Sequence, residues 1–170
     1  MAFAGQADIT IDAKGRLAVP SKFRAELERQ GWRASWKCLP WPNGTIRLYP
    51  ESVFDRIASS LEDKLVPNED EERLLQALFG MAETAEADSA GRIRLSGKLL
   101  RSAQISAEAT VVGSNSFLVV HDRQRWEEQE RSVFEQLPDL VRAVTRKDPS
   151  PAARNGATGG GTDARSETGG

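Results

Sequence analysis

The sequence is poor in cysteine and histidine and has no long apolar run, and each scarcity removes a class of function. One cysteine, Cys38, excludes an internal disulfide and any cysteine-cluster metal site. One histidine, His121, leaves no material for a histidine-rich metal centre and little for histidine-dependent catalysis, so neither metal nor cofactor is expected. No uninterrupted apolar stretch exceeds four residues (1–4 and 117–120), against the ~20 that a membrane helix needs. A basic patch followed by an apolar stretch is missing at the N-terminus, so no secretory leader is expected. Residues 149–170 carry no aromatic or branched aliphatic side chain but six of the 14 glycines. Such a segment cannot bury enough surface to offset its ordering entropy, which predicts a flexible tail over 148–170. Strong net charge is absent too: at −2 overall, any surface for a polyanion must come from local charge.

What is present is the composition of a folded domain, 170 residues with 39% hydrophobic and 28% charged, and inside it a repeat. Asp12-Ala13-Lys14-Gly15-Arg16-Leu17 returns as Asp88-Ser89-Ala90-Gly91-Arg92-Ile93, an offset of 76 (12 to 88). Leu17-Ala18-Val19 is answered by Ile93-Arg94-Leu95, and Lys22-Phe23 by Lys98-Leu99. Later, Ile46-Arg47-Leu48-Tyr49 leads to Phe54, and Leu118-Val119-Val120-His121 leads to Trp126, an offset of 72 (49 to 121). The first copy therefore holds four extra residues in between, as an old duplication would leave. Two similar halves follow, 1–66 and 67–147.

Local chemistry sets the elements. Ile9 and Ile11 alternate with polar residues, the pattern of a strand with one buried face. Asp-x-x-Gly supplies a carboxylate that can accept from its own backbone and a glycine free to take positive φ, which makes a tight hairpin turn. Residues 16–19 form the return strand, and Pro20 opens a short helix ending near Gly31. Asn43-Gly44 marks a second hairpin. Pro50 introduces a helix over 51–64. Asn68 with Glu71 forms a capping box for a helix reaching about Gly80, where Glu69, Asp70, Glu71 and Glu72 suit the positive end of the helix dipole. The second half repeats strand, turn and strand, with a short helix from Ser96, strands around Val111 and Leu118, and a terminal helix from about Arg123. The fold class is α+β.

Charge is polarised along the chain. Residues 12–24 carry Lys14, Arg16, Lys22 and Arg24 against Asp12; residues 88–101 carry Arg92, Arg94, Lys98 and Arg101 against Asp88. Each stretch is thus net +3, while 51–72 has eight acids and two bases. If the halves pack about a pseudo-twofold axis, both basic turns project from one face. Hairpins of this kind are narrow enough to enter the DNA major groove, which admits a two-stranded ribbon; lysine and arginine at the basic hairpin tips then meet phosphates, and arginine also pairs bidentately with guanine.

Residues 12–24 resemble the first repeat of the MraZ family of bacterial transcriptional regulators, relatives of AbrB-type swapped-hairpin DNA-binding domains, and residues 88–93 resemble its second. The likeness covers about residues 1–145. It implies two pseudo-symmetric AbrB-like halves in a double-psi or swapped-hairpin type of barrel. It further implies a cytoplasmic, nucleoid-associated regulator of the cell-division and cell-wall gene cluster that assembles into rings on short direct repeats of promoter DNA. Carried across by motif position, Lys14, Arg16 and Arg92 are the principal DNA contacts, with Lys22, Arg24 and Lys98 as secondary phosphate contacts. Asp12, Gly15, Asp88 and Gly91 shape the turns. The chain departs from the family pattern at Ser96 (usually proline), Arg94 (usually apolar) and Leu100 (usually arginine).

Other chemistries are weaker. Two aspartates about a twofold axis suggest an acid–base dyad, yet an arginine four residues after each favours two ionised carboxylates and no shared proton. Cys38 and His121 could form a nucleophile–base pair, but nothing in the sequence orients them. No enzymatic activity or small-molecule substrate is expected. Trp32, Trp36 and Trp41 fall within ten residues and point to a subunit or partner contact. The competing class is an oligomeric protein-binding or antitoxin-like assembly module built on the same fold.

Overall fold

The computed structural model describes residues 3–61 and 68–147. Its elements run β1 (Gln6–Thr10), β2 (Arg16–Ala18), α1 (Ser21–Arg29), β3 (Ser35–Trp41), β4 (Thr45–Pro50), α2 (Glu51–Leu61), α3 (Glu69–Gly80), β5 (Glu83–Glu86), β6 (Arg92–Arg94), α4 (Gly97–Ser102), β7 (Glu108–Ser114), β8 (Phe117–Asp122) and α5 (Arg123–Lys147). The architecture is α+β, with a six-stranded antiparallel sheet ordered β1-β7-β8-β4-β3-β5 and a two-stranded ribbon of β2 and β6. The tail expected over 148–170 lies outside the described residues, as does the end of the helix expected over 51–64.

The strand order is a palindrome under exchange of the two copies. In the ribbon Arg16 faces Arg94, Leu17 faces Ile93 and Ala18 faces Arg92, so the pairing is symmetric about Leu17–Ile93. The β4–β8 ladder is symmetric about Arg47–Val119. Away from these two axes strands are exchanged: β1 pairs with β7 and β3 with β5, placing Ile9 opposite Ala109 and Trp36 opposite Ala85, so the hairpin expected of residues 9–19 does not form and β2 instead pairs with β6 of the other copy. The offset between equivalent residues is 76 in the ribbon (17 to 93), 73 in β3 and β7 (36 to 109) and 72 in β4 and β8 (47 to 119). Three of the four extra residues therefore lie around α1, nine residues long against six in α4, and the fourth in the β3–β4 turn.

Burial follows the period-two rule of a strand. Leu17, Val19, Ile93 and Leu95 are 1–2% exposed and join Phe3, Phe23, Trp36, Val111 and Val120 in the main core, beneath the ribbon. A second cluster of Leu39, Tyr49, Val53 and Phe54 seats α2. Trp36 is a correction to the expected contact surface: it is fully buried against Phe3, ring centroids 5.9 Å apart, because it falls on the inward side of β3. Trp41 stays half-exposed under the Arg47 guanidinium, 3.6 Å from the ring centroid. The capping box at Asn68 forms as expected, with Glu71 N–H donating to Asn68 Oδ1 at 2.9 Å, and Ser96 caps α4 through the Leu99 amide at 3.1 Å.

The chain divides into two compact units with the boundary between Gln129 and Glu130. In the second unit α5 carries Val133, Phe134, Leu137, Leu140, Val141 and Val144, all exposed and spaced on one helical stripe.

Candidate nucleic-acid interface

Each Asp-x-x-Gly-Arg segment closes as the same hydrogen-bonded loop. Asp12 Oδ1 accepts from the amides of Lys14 and Arg16, both at 2.9 Å, and Oδ2 accepts from Arg16 Nε at 2.7 Å. Asp88 repeats this with the amides of Ala90 (2.9 Å) and Arg92 (3.0 Å) and with Arg92 Nε at 2.9 Å. The glycine amide returns to the aspartate carbonyl at 2.9 Å in the first loop and 2.8 Å in the second. Gly15 and Gly91 hold φ of +76° and +73°, the left-handed region where a side chain is strained. The Arg16 amide above all, then its guanidinium and the Lys14 amide, hold the Asp12 carboxyl below the ordinary carboxylate range; Asp88 is lowered by Arg92 and Ala90 in the same way. Both aspartates are therefore ionised orienters of an arginine, the opposite of a proton-sharing dyad.

The loops are also tied to each other. Leu95 N–H donates to the Gly15 carbonyl at 2.8 Å, and Val19 N–H to the Gly91 carbonyl at 3.0 Å. A ribbon three residues long spans only ~10 Å, so both tips stand at the two ends of one short platform. Its inner face is the buried Leu17 and Ile93; its outer face is Arg16, Ala18, Arg92 and Arg94. Lys14 is exposed at the first tip, and Arg16 and Arg92 side chains are 37% and 43% accessible beside their aspartates. The structure thus brings Lys14, Arg16 and Arg92 onto one surface.

The remaining cations flank it. Lys22 and Lys98 occupy the second position of α1 and α4, both exposed. Lys22 Nζ donates to the Gln6 carbonyl at 2.6 Å and sits 5.0 Å from the Phe23 ring centroid. Arg24 is half-buried beneath the second loop, its Nε donating to the Val19 carbonyl at 3.1 Å. A Cβ on Gly91 would meet its Nη1 at 2.7 Å. Arg94, in the sequence only a departure from the family pattern, also belongs to this outer face. The signal that finds it is strand register, which sets it directly opposite Arg16.

The other candidate chemistries find no support in geometry. Cys38 is fully buried, and desolvation pushes its thiol up to about 12. His121 is 8% exposed with the Trp126 ring 4.5 Å away; burial, then the Arg125 charge, lowers it to about 4. A protonated thiol and a weakly basic imidazole make no nucleophile–base pair at neutral pH. Among the described residues no group of three or more His, Cys, Asp or Glu side chains could hold a metal ion. No helix among them is long and apolar enough to cross a membrane.

Comparison with known proteins agrees with the geometry. The family described as "MraZ protein, putative antitoxin-like" matches residues 2–76 and 78–143. Among curated proteins, one from Neisseria meningitidis serogroup C named transcriptional regulator MraZ is 33% identical over 138 residues, 81% of this chain and 91% of that protein. Proteins of the same name from Yersinia pestis strain Pestoides F (33% over 152 residues, 84% and 99% of the two chains) and Herpetosiphon aurantiacus (30% over 146 residues, 84% and 96%) are similar to it as well.

Proposed function

Because the chain belongs to the MraZ family, we propose that it is a sequence-specific, DNA-binding transcriptional regulator. In this reading it acts in the cytoplasm, on the nucleoid, at the promoter of the cell-division and cell-wall gene cluster, and binds short direct repeats as a ring-like homo-oligomer. No cofactor takes part. The observation that carries the reading is the placing of two aspartate-oriented arginines, Arg16 and Arg92, on the outer face of one short ribbon. A guanidinium held through Nε by a carboxylate has its direction fixed before it meets DNA, so less side-chain freedom is lost on binding. Lys14, Lys22, Arg24 and Lys98 add phosphate contacts that set register, while the two arginines read base edges.

The test is a gel-retardation series on sites recovered by pulling down fragmented genomic DNA and sequencing it. Replacing Arg16 and Arg92 together by alanine abolishes retardation and leaves the native mass unchanged. A competing reading, an antitoxin-like assembly module, draws on the exposed apolar stripe of α5. It gains if the double variant loses its assembly, or if the parent chain itself retards none of the recovered DNA.

A further inference from the structure

The two loops are alike in backbone but unlike in charge. Arg94 lies opposite Arg16 on the outer face of the ribbon, and like charges directly across a ladder are destabilising. Arg16 is compensated by Asp12 at 2.7 Å. Arg94 is not: its Nε donates to the Lys14 carbonyl at 3.2 Å, and among the described residues no carboxylate pairs with it. That bond bends the Arg94 side chain across the ribbon onto the first loop, a contact 80 residues away in sequence. The first loop therefore gathers Lys14, Arg16 and Arg94 around a single carboxylate. At the second loop the equivalents of Lys14 and Arg94 are Ala90 and Ala18, leaving Arg92 beside Asp88 and the half-buried Arg24 beneath. Position 18 shows that the outer face of the ribbon can be built on a small apolar side chain, so packing does not explain a third cation, without a carboxylate of its own, at 94.

We propose that Arg94 binds a DNA backbone phosphate together with Lys14, and that it makes the first loop the stronger phosphate anchor of the pair. The proposal rests on the DNA-binding reading above. A repeat architecture with unequal loops lays each protomer on DNA in one direction, which suits direct repeats better than palindromes.

The experiment measures binding of the full chain to a fluorescent mixed-sequence duplex of about 30 base pairs, from about 50 to 200 mM salt. Phosphate contacts carry no sequence information, so a mixed-sequence duplex reports them. Arg94→Ala is expected to flatten the log–log salt slope by about 0.9 per engaged protomer, so that the fourfold rise in salt weakens the variant roughly threefold less than the parent. Arg94→Lys keeps the slope, because a point charge still meets a phosphate. Ala18→Arg, which adds the missing cation to the second loop, steepens the slope by a similar amount and guards against Arg94→Ala simply failing to fold. If neither Arg94→Ala nor Ala18→Arg moves the slope while Lys98→Ala does, the role of Arg94 is overturned and DNA binding stands. If Lys14→Ala, Lys98→Ala and Arg94→Ala all leave it unmoved, the DNA-binding reading falls as well.

Discussion

At the scale of single residues, His121 shows how burial turns a familiar switch into a stability element. The imidazole is 8% exposed with the Trp126 ring tilted against it, and burial above all, then the Arg125 charge, holds it neutral until about pH 4. In the unfolded chain it takes a proton near 6.5. Between these values the unfolded state binds the extra proton, so stability falls as pH drops from about 6.5 to about 4 and is fully present above. The loss is about 3 kcal/mol across that window. Urea unfolding of the parent chain at pH 7.5 and pH 4.5 measures it, and His121→Gln should flatten the difference. Equal midpoints for the parent at both pH values would show that His121 is not held neutral. Asp12 and Asp88, both lowered, act below this window: their stabilisation is present above about 3.8 and fades as pH falls through their depressed values. His121 was legible in the sequence as a strand-end residue, but its burial was not, since that depends on Trp126 from the following helix.

At the scale of elements, the turn is where sequence speaks most directly. Aspartate, a left-handed glycine and arginine at fixed spacing specify the loop locally, and the hydrogen-bond pattern is the same in both copies. What glycine does there is more than adopt positive φ. A Cβ at Gly15 would stand 2.3 Å from the Leu95 carbonyl oxygen, whereas at Gly31, with φ of +65°, it would meet nothing within 4 Å. Gly31→Ala therefore costs only the left-handed strain, about 1–2 kcal/mol. Gly15→Ala adds a backbone clash that opens the bond between the two loops, and denaturant unfolding should show it to be clearly the more destabilising. Comparable midpoints for the two variants would mean that the loops are not packed together as described. The same contact explains what the sequence hid. Helices and turns were readable from caps and punctuation, because those signals are local. Strand exchange was not, because nothing local tells β1 to pair with β7 and not with its own neighbour in sequence. Arg94 and Trp36 fell on that blind side: one gained its meaning from facing Arg16 across the ribbon, the other from facing inward on β3.

On the DNA-binding reading proposed above, the decisive quantity for the whole molecule is how many ribbons meet DNA at once. One ribbon offers a handful of cations, and each phosphate contact contributes about −0.9 to the salt slope, so on that reading a lone protomer binds weakly at physiological salt. Several protomers held together convert each later contact into an intramolecular one and raise avidity by about 10²–10⁴. The stripe of Phe134, Leu137, Val141 and Val144 on α5, three or four residues apart and exposed, offers a helix-packing seam for such an assembly. Filter binding on DNA carrying one repeat and three repeats should then differ steeply in the parent chain, with the three-repeat complex more sensitive to salt. Phe134→Glu with Val141→Glu places charge in the seam and changes no residue of the ribbon. It should lower the native mass and erase the advantage of three repeats without weakening binding to one. Equal affinity of the parent for one repeat and three would show that each ribbon acts alone, and the apolar face of α5 would then need a partner other than its own kind.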